Sequence, residues 1–270
     1  RSLNLMTIEW QNRGINMWTI EPGSFNLVQG QFCYPLPVDT IDLMEQQIRT
    51  GANVASTQSD LNINRISVST YATIPNKITQ ARPIQVMVQR MSGQESSVTT
   101  LATAISSTDT TIELTDATGL PAFGFIKIGD EYINYSYITG NTLYNCFRGQ
   151  ANTTAASHAD GTAVYWQQLP AVTVWPTPDG SQQYQFAYWR LRRTQDAGGG
   201  VNIMDVPFRF IPCMAAGLSY YIAGKIPEGA ERIMMLKQQY DEAWELAAYE
   251  DHEKAALRLV PRQQFLGNTI

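Results

Sequence analysis

The sequence predicts an α+β protein: a β-rich host with a helical bundle, built from an N-terminal helix plus two C-terminal helices, and an inserted small all-β domain. Three observations lead there. Residues 93–167 turn into Thr, Ser, Ala, Gly and Asn with scattered aromatics, and they hold seven acids (Glu95, Asp109, Glu113, Asp116, Asp130, Glu131, Asp160) against two bases (Lys127, Arg148). That segment nets −5, the charge of the whole 270-residue chain, so the remainder is balanced. Outside it, short period-two runs alternate with turn signals, and apolar residues recur at helical spacing at both ends of the chain. A charge-neutral host, residues 1–92 and 168–270, therefore carries an acidic β-rich guest over 93–167, which requires a host loop exposed at both ends.

The elements follow in order. Leu3, Met6, Thr7 and Trp10 sit at helical spacing, with Gly14 placed to cap the helix C-terminus. A strand is expected over 15–21, a turn at Glu21-Pro22-Gly23, and two short strands over 25–34 broken at Gln29-Gly30. Residues 38–49 lean toward strand, 50–62 read as loop, and 65–74 as a short helix stopped by Pro75. Ile84, Val86 and Val88 alternate as a strand does. Within the guest, strands are expected near 110–114, 123–128, 132–138, 142–146 and 162–166, with turns at Gly129-Asp130, Gly140-Asn141 and Asp160-Gly161.

Beyond the guest, 171–175 and 183–190 read as two antiparallel strands joined by the turn Pro176-Thr177-Pro178-Asp179-Gly180, with Tyr184, Phe186 and Tyr188 on one face. A Gly-rich loop follows from Gln195 to Gly200. Two helices close the chain. One covers about 212–224 with Pro212 at its first turn. The other covers about 228–257 with the stripe Ile233, Leu236, Tyr240, Trp244 and Ala247.

Composition limits the function classes. Hydrophobic residues make up 44%, enough for a proper core, while charged residues reach only 16%, against about a quarter in ordinary soluble domains. Either other subunits cover much of the surface, or Thr, Ser, Asn and Gln supply it. The net charge argues against a protein that grips nucleic-acid phosphates, though not against a wall that DNA slides past. Cys33, Cys146 and Cys213 are odd in number and far apart, which reads as three buried or half-buried thiols made in a reducing cytosol. No apolar run reaches the roughly 18–20 residues of a membrane span. The chain starts at Arg1 rather than Met, which implies residues upstream, and it carries no signal-peptide pattern.

No catalytic, cofactor or metal constellation emerges. His158 and His252 stand apart with no ligand spacing around either, and read as a polar anchor in a β-loop and a solvated helix residue. Gly217 to Lys225 fails as a phosphate loop, because six residues separate its glycines and Ile226 stands where Ser or Thr would bind magnesium. Core packing is the better reading. Asp130-Glu131 lie next to each other and so face opposite sides of a strand, which favours hairpin-turn residues over a shared catalytic pair. Ser219 lacks a GxSxG elbow. The acids from Asp241 to Glu253 lie on a helix without a calcium loop.

The host halves resemble the head-to-tail adaptor (tail tubular protein A-like, or tail accessory) family of short-tailed bacteriophages. The residues that carry the resemblance are Glu9-Trp10-Gln11 with Gly14-Ile15-Asn16-Met17-Trp18, Gly30 with Tyr34-Pro35-Leu36-Pro37, and Asp39-Thr40-Ile41-Asp42-Leu43. Arg65-Ile66, Tyr71-Ala72-Thr73-Ile74-Pro75-Asn76-Lys77, Val174-Trp175-Pro176-Thr177-Pro178-Asp179, Tyr188-Trp189-Arg190 and Ala216-Gly217-Leu218-Ser219-Tyr220-Tyr221-Ile222-Ala223 complete it. The guest, with Ile128-Gly129-Asp130-Glu131-Tyr132, Arg148-Gly149, His158 and Gly161, looks like a β-module found in several phage structural proteins. The plain family pattern lacks this insert and begins with a further N-terminal helix.

The resemblance implies a non-enzymatic virion component of the tail or neck, assembled in the bacterial cytoplasm. It implies a self-assembled ring of about a dozen copies, docked on the portal protein and presenting a platform to the tail nozzle or tail fibre proteins. Such a ring extends the DNA channel without sequence-specific binding, needs no cofactor and involves no membrane. It also implies a portal-contacting tail containing Arg262, Gln263, Gln264 and Phe265. Two other readings stand beside it: a fibre-docking or glycan-binding module working through Tyr132, Tyr135, Tyr137 and Tyr144 of the insert, and, much more weakly, a cell-wall hydrolase.

Overall fold

The computed structural model describes residues 1–14, 17–194 and 205–251, without the side chains of Met17 and Glu250. In chain order its elements are α1 (Ser2–Asn12), β1 (Ile20–Asn26), β2 (Cys33–Pro35), β3 (Thr40–Thr50), β4 (Ser59–Asn62), β5 (Asn64–Arg65) and α2 (Val68–Ala72). Then come β6 (Gln85–Gln89), β7 (Glu95–Thr100), β8 (Ile112–Glu113), β9 (Gly124–Ile128), β10 (Glu131–Tyr135), β11 (Tyr137–Thr139), β12 (Thr142–Tyr144), β13 (Phe147–Gln150) and β14 (Ala163–Gln167). The chain continues with β15 (Ala171–Trp175), β16 (Tyr184–Arg192), α3 (Ile211–Ala223) and α4 (Ile233–Glu250). Four α-helices and sixteen strands among the described residues make this a β-rich α+β fold. The chain divides into two compact units, Arg1–Trp18 with Thr194–Ile270, and Thr19–Arg193.

In the β unit, two four-stranded sheets, ordered β1-β16-β3-β4 and β2-β15-β6-β5, enclose one core. Leu43, Ile48, Phe186 and Tyr188 of the first sheet meet Tyr34, Val86, Val172 and Val174 of the second, as two inward faces of alternating strands should. Strands 171–175 and 183–190 are therefore not a hairpin: β15 and β16 belong to different sheets, and the Pro-rich link between them crosses the sandwich. Thr177 in that link bridges to Gln80. The expected turn at Glu21-Pro22-Gly23 is instead the body of β1. Pro22 is tolerated because β1 is an edge strand. Gly23 lies opposite Tyr188, whose ring comes within 2.4 Å of where a Cβ would stand. The strand expected from residue 15 starts at Ile20, after a 3-10 turn at Met17–Thr19, while Ile15 and Asn16 lie outside the described residues. The segment read as loop over 50–62 ends in β4, which pairs with β3.

Residues 93–167 form two further sheets, β13-β10-β9-β14-β7 and β11-β12-β8, around their own core of Ile112, Leu114, Ile126, Ile128, Ile133, Tyr135, Leu143 and Val164. Gly129 (φ +59°) and Gly140 (φ +61°) supply the left-handed backbone for the two-residue hairpins β9–β10 and β11–β12. Strands β7 and β13 escaped the sequence reading because polar residues dominate both. The ends of the insert lie side by side: Gly93 N donates to Gln168 O at 2.8 Å, and Gln168 N to Gln94 O at 2.9 Å. A separate apolar cluster joins Phe32, Cys33, Leu169 and Ala171 of the sandwich to Phe123, Phe125 and Tyr132 of the insert.

In the helical unit, α1, α3 and α4 close around Met6, Trp10, Phe210, Cys213, Tyr240, Trp244 and Ala247. Gly217 of α3 packs against Met6 of α1 and Tyr240 of α4 with no room for a Cβ. The expected 228–257 helix begins as a 3-10 turn, Pro227–Arg232, and becomes α-helical only at Ile233. The elbow is tight there, since a Cβ at Gly229 would lie 2.5 Å from the Ala223 carbonyl oxygen.

Candidate functional site

Helix α4 carries two apolar stripes. Tyr240, Trp244 and Ala247 are buried, with Ile233 and Leu236 half-buried beside them. At 100° per residue, Met235, Leu246 and Tyr249 fall about 150° around the helix from that stripe. They are 53%, 76% and 76% exposed. Met234 is also exposed, as are Leu5 and Ile8 on α1, and Phe208, Ile211 and Ile222 at or near α3. Scattered exposed apolar residues are ordinary, but a helix of a small bundle normally keeps one polar face. The second stripe carries Glu242 within the same arc, so the face is mixed apolar and acidic.

The helices are fixed by a half-buried polar relay. Trp10 Nε1 donates to the Tyr240 hydroxyl at 2.8 Å, and the hydroxyls of Tyr240 and Tyr221 donate to Glu9 Oε2 at 3.2 and 2.6 Å. Arg13 pairs with Glu9 and lies over the Trp244 ring at 4.9 Å. Burial pushes the Glu9 carboxyl up, but the hydrogen bonds from Tyr221 and Arg13 outweigh it and hold it below its ordinary value.

The insert has a different polar centre. Glu131 is 1% exposed and accepts from Arg148 Nε (2.8 Å) and Nη2 (2.7 Å), Gly149 N (3.0 Å) and Ala156 N (3.1 Å), with His158 Nε2 at 2.9 Å. Burial raises its pKa, and these partners outweigh burial to bring it down to about 2. Asp130 occupies the hairpin turn as expected, but Glu131 does not: it is the buried anchor of the insert. Arg148 further reaches the carbonyl oxygens of Ala156 at 2.7 Å and Ser106 at 2.5 Å, so a single ion pair ties two loops to β10 and β13. Every Glu131 oxygen is occupied, which suits a structural anchor and leaves no site for a reacting group.

The other sequence candidates separate. Cys33, Cys146 and Cys213 are free and buried, and burial pushes each thiol up to about 12, so none is a ready nucleophile. Of the four candidate tyrosines of the insert, Tyr135 is core, with its hydroxyl on the Pro121 carbonyl at 2.8 Å, and Tyr132 packs half-buried at the sandwich junction. Tyr137 and Tyr144 stack across β11 and β12 at 5.0 Å and 5°, and Tyr137 is exposed. Ser219 donates to Ala215 O at 2.8 Å, within its own helix. Gly217 is a packing residue. His252, the 195–200 loop and the tail residues Arg262, Gln263, Gln264 and Phe265 lie outside the described residues. Among the described residues no group of three or more His, Cys, Asp and Glu is arranged to hold a metal ion, and no helix is long and apolar enough to cross a membrane.

The class defined here is an α+β protein combining a β-sandwich, an all-β insert and a three-helix unit with a second apolar stripe. Comparison with protein-family models and with curated proteins returns no match.

Proposed function

We propose that this chain is the subunit of a ring-forming head-to-tail adaptor of a short-tailed phage virion, joining the portal to the tail nozzle or fibres and extending the DNA channel. One observation carries the reading: the outward apolar stripe of α4, in a chain with few charges, is a surface that needs a neighbour. Ring contacts are heterologous, so one face of each copy meets a different face of the next. Exposed Val68 and Ile78 on the β unit add apolar area of the kind a second face requires. Five arginines of the sandwich are held in ion pairs, which supports a passive channel wall. Arg190 pairs with Glu21 and Asp39, Arg192 with Glu21, Arg65 and Arg90 with Asp42, and Arg49 with Asp60. Positive charge held this way offers DNA phosphates little purchase.

Light scattering and negative-stain imaging of the purified chain, alone and with portal protein, test the reading. Rings that dock on the portal support it, and a chain that stays monomeric with portal present overturns it. Truncation after Pro261 tests the proposed portal contact through Arg262, Gln263, Gln264 and Phe265: portal affinity falls if the tail makes that contact.

A second reading, fibre docking or glycan binding by the insert, is favoured by the exposed Tyr137 stacked on Tyr144. Because Gly93 and Gln168 are hydrogen-bonded neighbours, residues 93–167 can be excised with little gap. Rings that still form but lose fibres would favour this second role.

A further inference from the structure

The cleft between the sandwich and the insert, both within the Thr19–Arg193 unit, encloses about 500 Å³. That is within the range of small-ligand sites. It is walled by Phe25 and Tyr188 on one side and Tyr132 on the other, and none of the described residues lining it is charged. A charged ligand would enter with no countercharge, so the chemistry selects a neutral one.

The polar side chains along the cleft are four amides (Asn26, Gln31, Gln150 and Asn152), the Ser24 hydroxyl and three tyrosines. Asn26 and Asn152 line it as exposed side chains with no hydrogen-bond partner among the described residues. Gln31, 1% exposed, gives its Nε2 to the Cys33 carbonyl and to Gln150 Oε1, both at 2.9 Å, while its own Oε1 receives no donor. An unmet buried acceptor costs free energy unless something supplies a donor. The rim is pre-shaped: Ala151 (φ +53°) and Asn152 (φ +62°) both hold left-handed backbone, a cost that non-glycine residues bear only where the surroundings enforce it.

Aromatic side chains along the wall, hydroxyls and planar amides that both donate and accept, and no charge together match a neutral ligand with many hydroxyls and apolar C–H groups. We propose that this cleft binds a short neutral oligosaccharide, held between the Phe25 and Tyr132 side chains with its hydroxyls on Asn26 and Asn152. The inference does not depend on ring assembly, and its readout is separate from it.

Saturation-transfer NMR on the full chain tests it, with maltotriose, cellotriose and chitotriose as neutral probes, and sialyllactose and decaproline as the charged and peptide alternatives. The expected result is transfer to at least one neutral trisaccharide, with affinity lowered tenfold or more by Asn26→Ala combined with Asn152→Gly. Glycine accepts the left-handed backbone at 152, so circular dichroism melting of this variant should match the parent. Three results would overturn the proposal: no transfer to any neutral probe, binding confined to sialyllactose or decaproline, or neutral binding unchanged by the double variant.

Discussion

Arg148 and Glu131 meet as a two-pronged pair, Nε to Oε1 and Nη2 to Oε2, in the interior of the insert, where they are 7% and 1% exposed. The pair joins β10 to the start of β13 and, through Gly149 N and Ala156 N, fixes the loop that follows. Glu131→Gln keeps the size but leaves a buried guanidinium uncompensated. Removing one partner of a buried ion pair typically costs about 3–5 kcal/mol. The insert should then unfold at lower denaturant, read by proteolysis within residues 93–167, while the helical unit keeps its own transition. Arg148→Lys retains the charge without the fork and should lose less.

The same carboxylate sets an acid limit. Its folded pKa, about 2, lies below the ordinary 4.5. A lowered carboxylate pKa stabilises the fold fully above the unfolded value, and that stability is lost as pH falls toward the folded one. Insert stability should therefore decline between about pH 4.5 and 2. Glu131→Gln, already destabilised at neutral pH, should show a flatter decline over the same window. Parallel melting curves from pH 7 to 2.5 check this, and parallel slopes for the two proteins would contradict it.

How much of this was legible in the sequence depended on how local the signal was. The α4 core stripe was readable because Tyr240, Trp244 and Ala247 repeat at helical spacing within one element. The hairpins at Gly129 and Gly140 were readable because a two-residue turn with left-handed backbone demands such residues. Glu131 was misread because its partners lie 17 and 27 residues away, at Arg148 and His158. A usable clue existed: Arg148 is one of only two bases in an acidic segment, and a rare cation there has reason to be a buried partner. The β15 and β16 pairing failed for a related reason. A proline-rich link reads as a tight turn whether it joins paired strands or crosses between sheets, and only the sandwich core decides which. The amide-lined cleft gave no local signal, since residues 24–38 and 149–152 meet only through the docking of the insert.

Gly217 is a test of helix packing. A Cβ at this position would lie 2.6 Å from Met6 Sδ and 2.7 Å from the Tyr240 ring. Tyr240 cannot yield freely, because its hydroxyl accepts from Trp10 and donates to Glu9. Gly217→Ala gains intrinsic helix propensity of roughly 1 kcal/mol, yet overpacking a tight core costs about 1–3 kcal/mol. The net should be destabilising, with near-ultraviolet circular dichroism of the Trp10–Trp244 cluster weakened. An unchanged or higher melting temperature would show that the helices have room to separate.

The outward stripe of α4 gives the sharpest test of assembly. Among the described residues Leu246 and Tyr249 belong to no core cluster and are 76% exposed, so Leu246→Asp and Tyr249→Ser should leave the chain's melting within about 0.5 kcal/mol of the parent, as surface substitutions do. If the stripe is covered by a neighbouring copy, the same variants desolvate a carboxylate or remove an apolar contact at each junction. A closed ring repeats that loss at every interface, so even about 1–2 kcal/mol per junction should shift the population from rings to small species in light scattering. Trp244→Ala serves as the contrast, because it should unfold the helical unit first and lose assembly only as a consequence. Rings that form undiminished with Leu246→Asp would move the interface off α4 and remove the observation on which the adaptor reading rests.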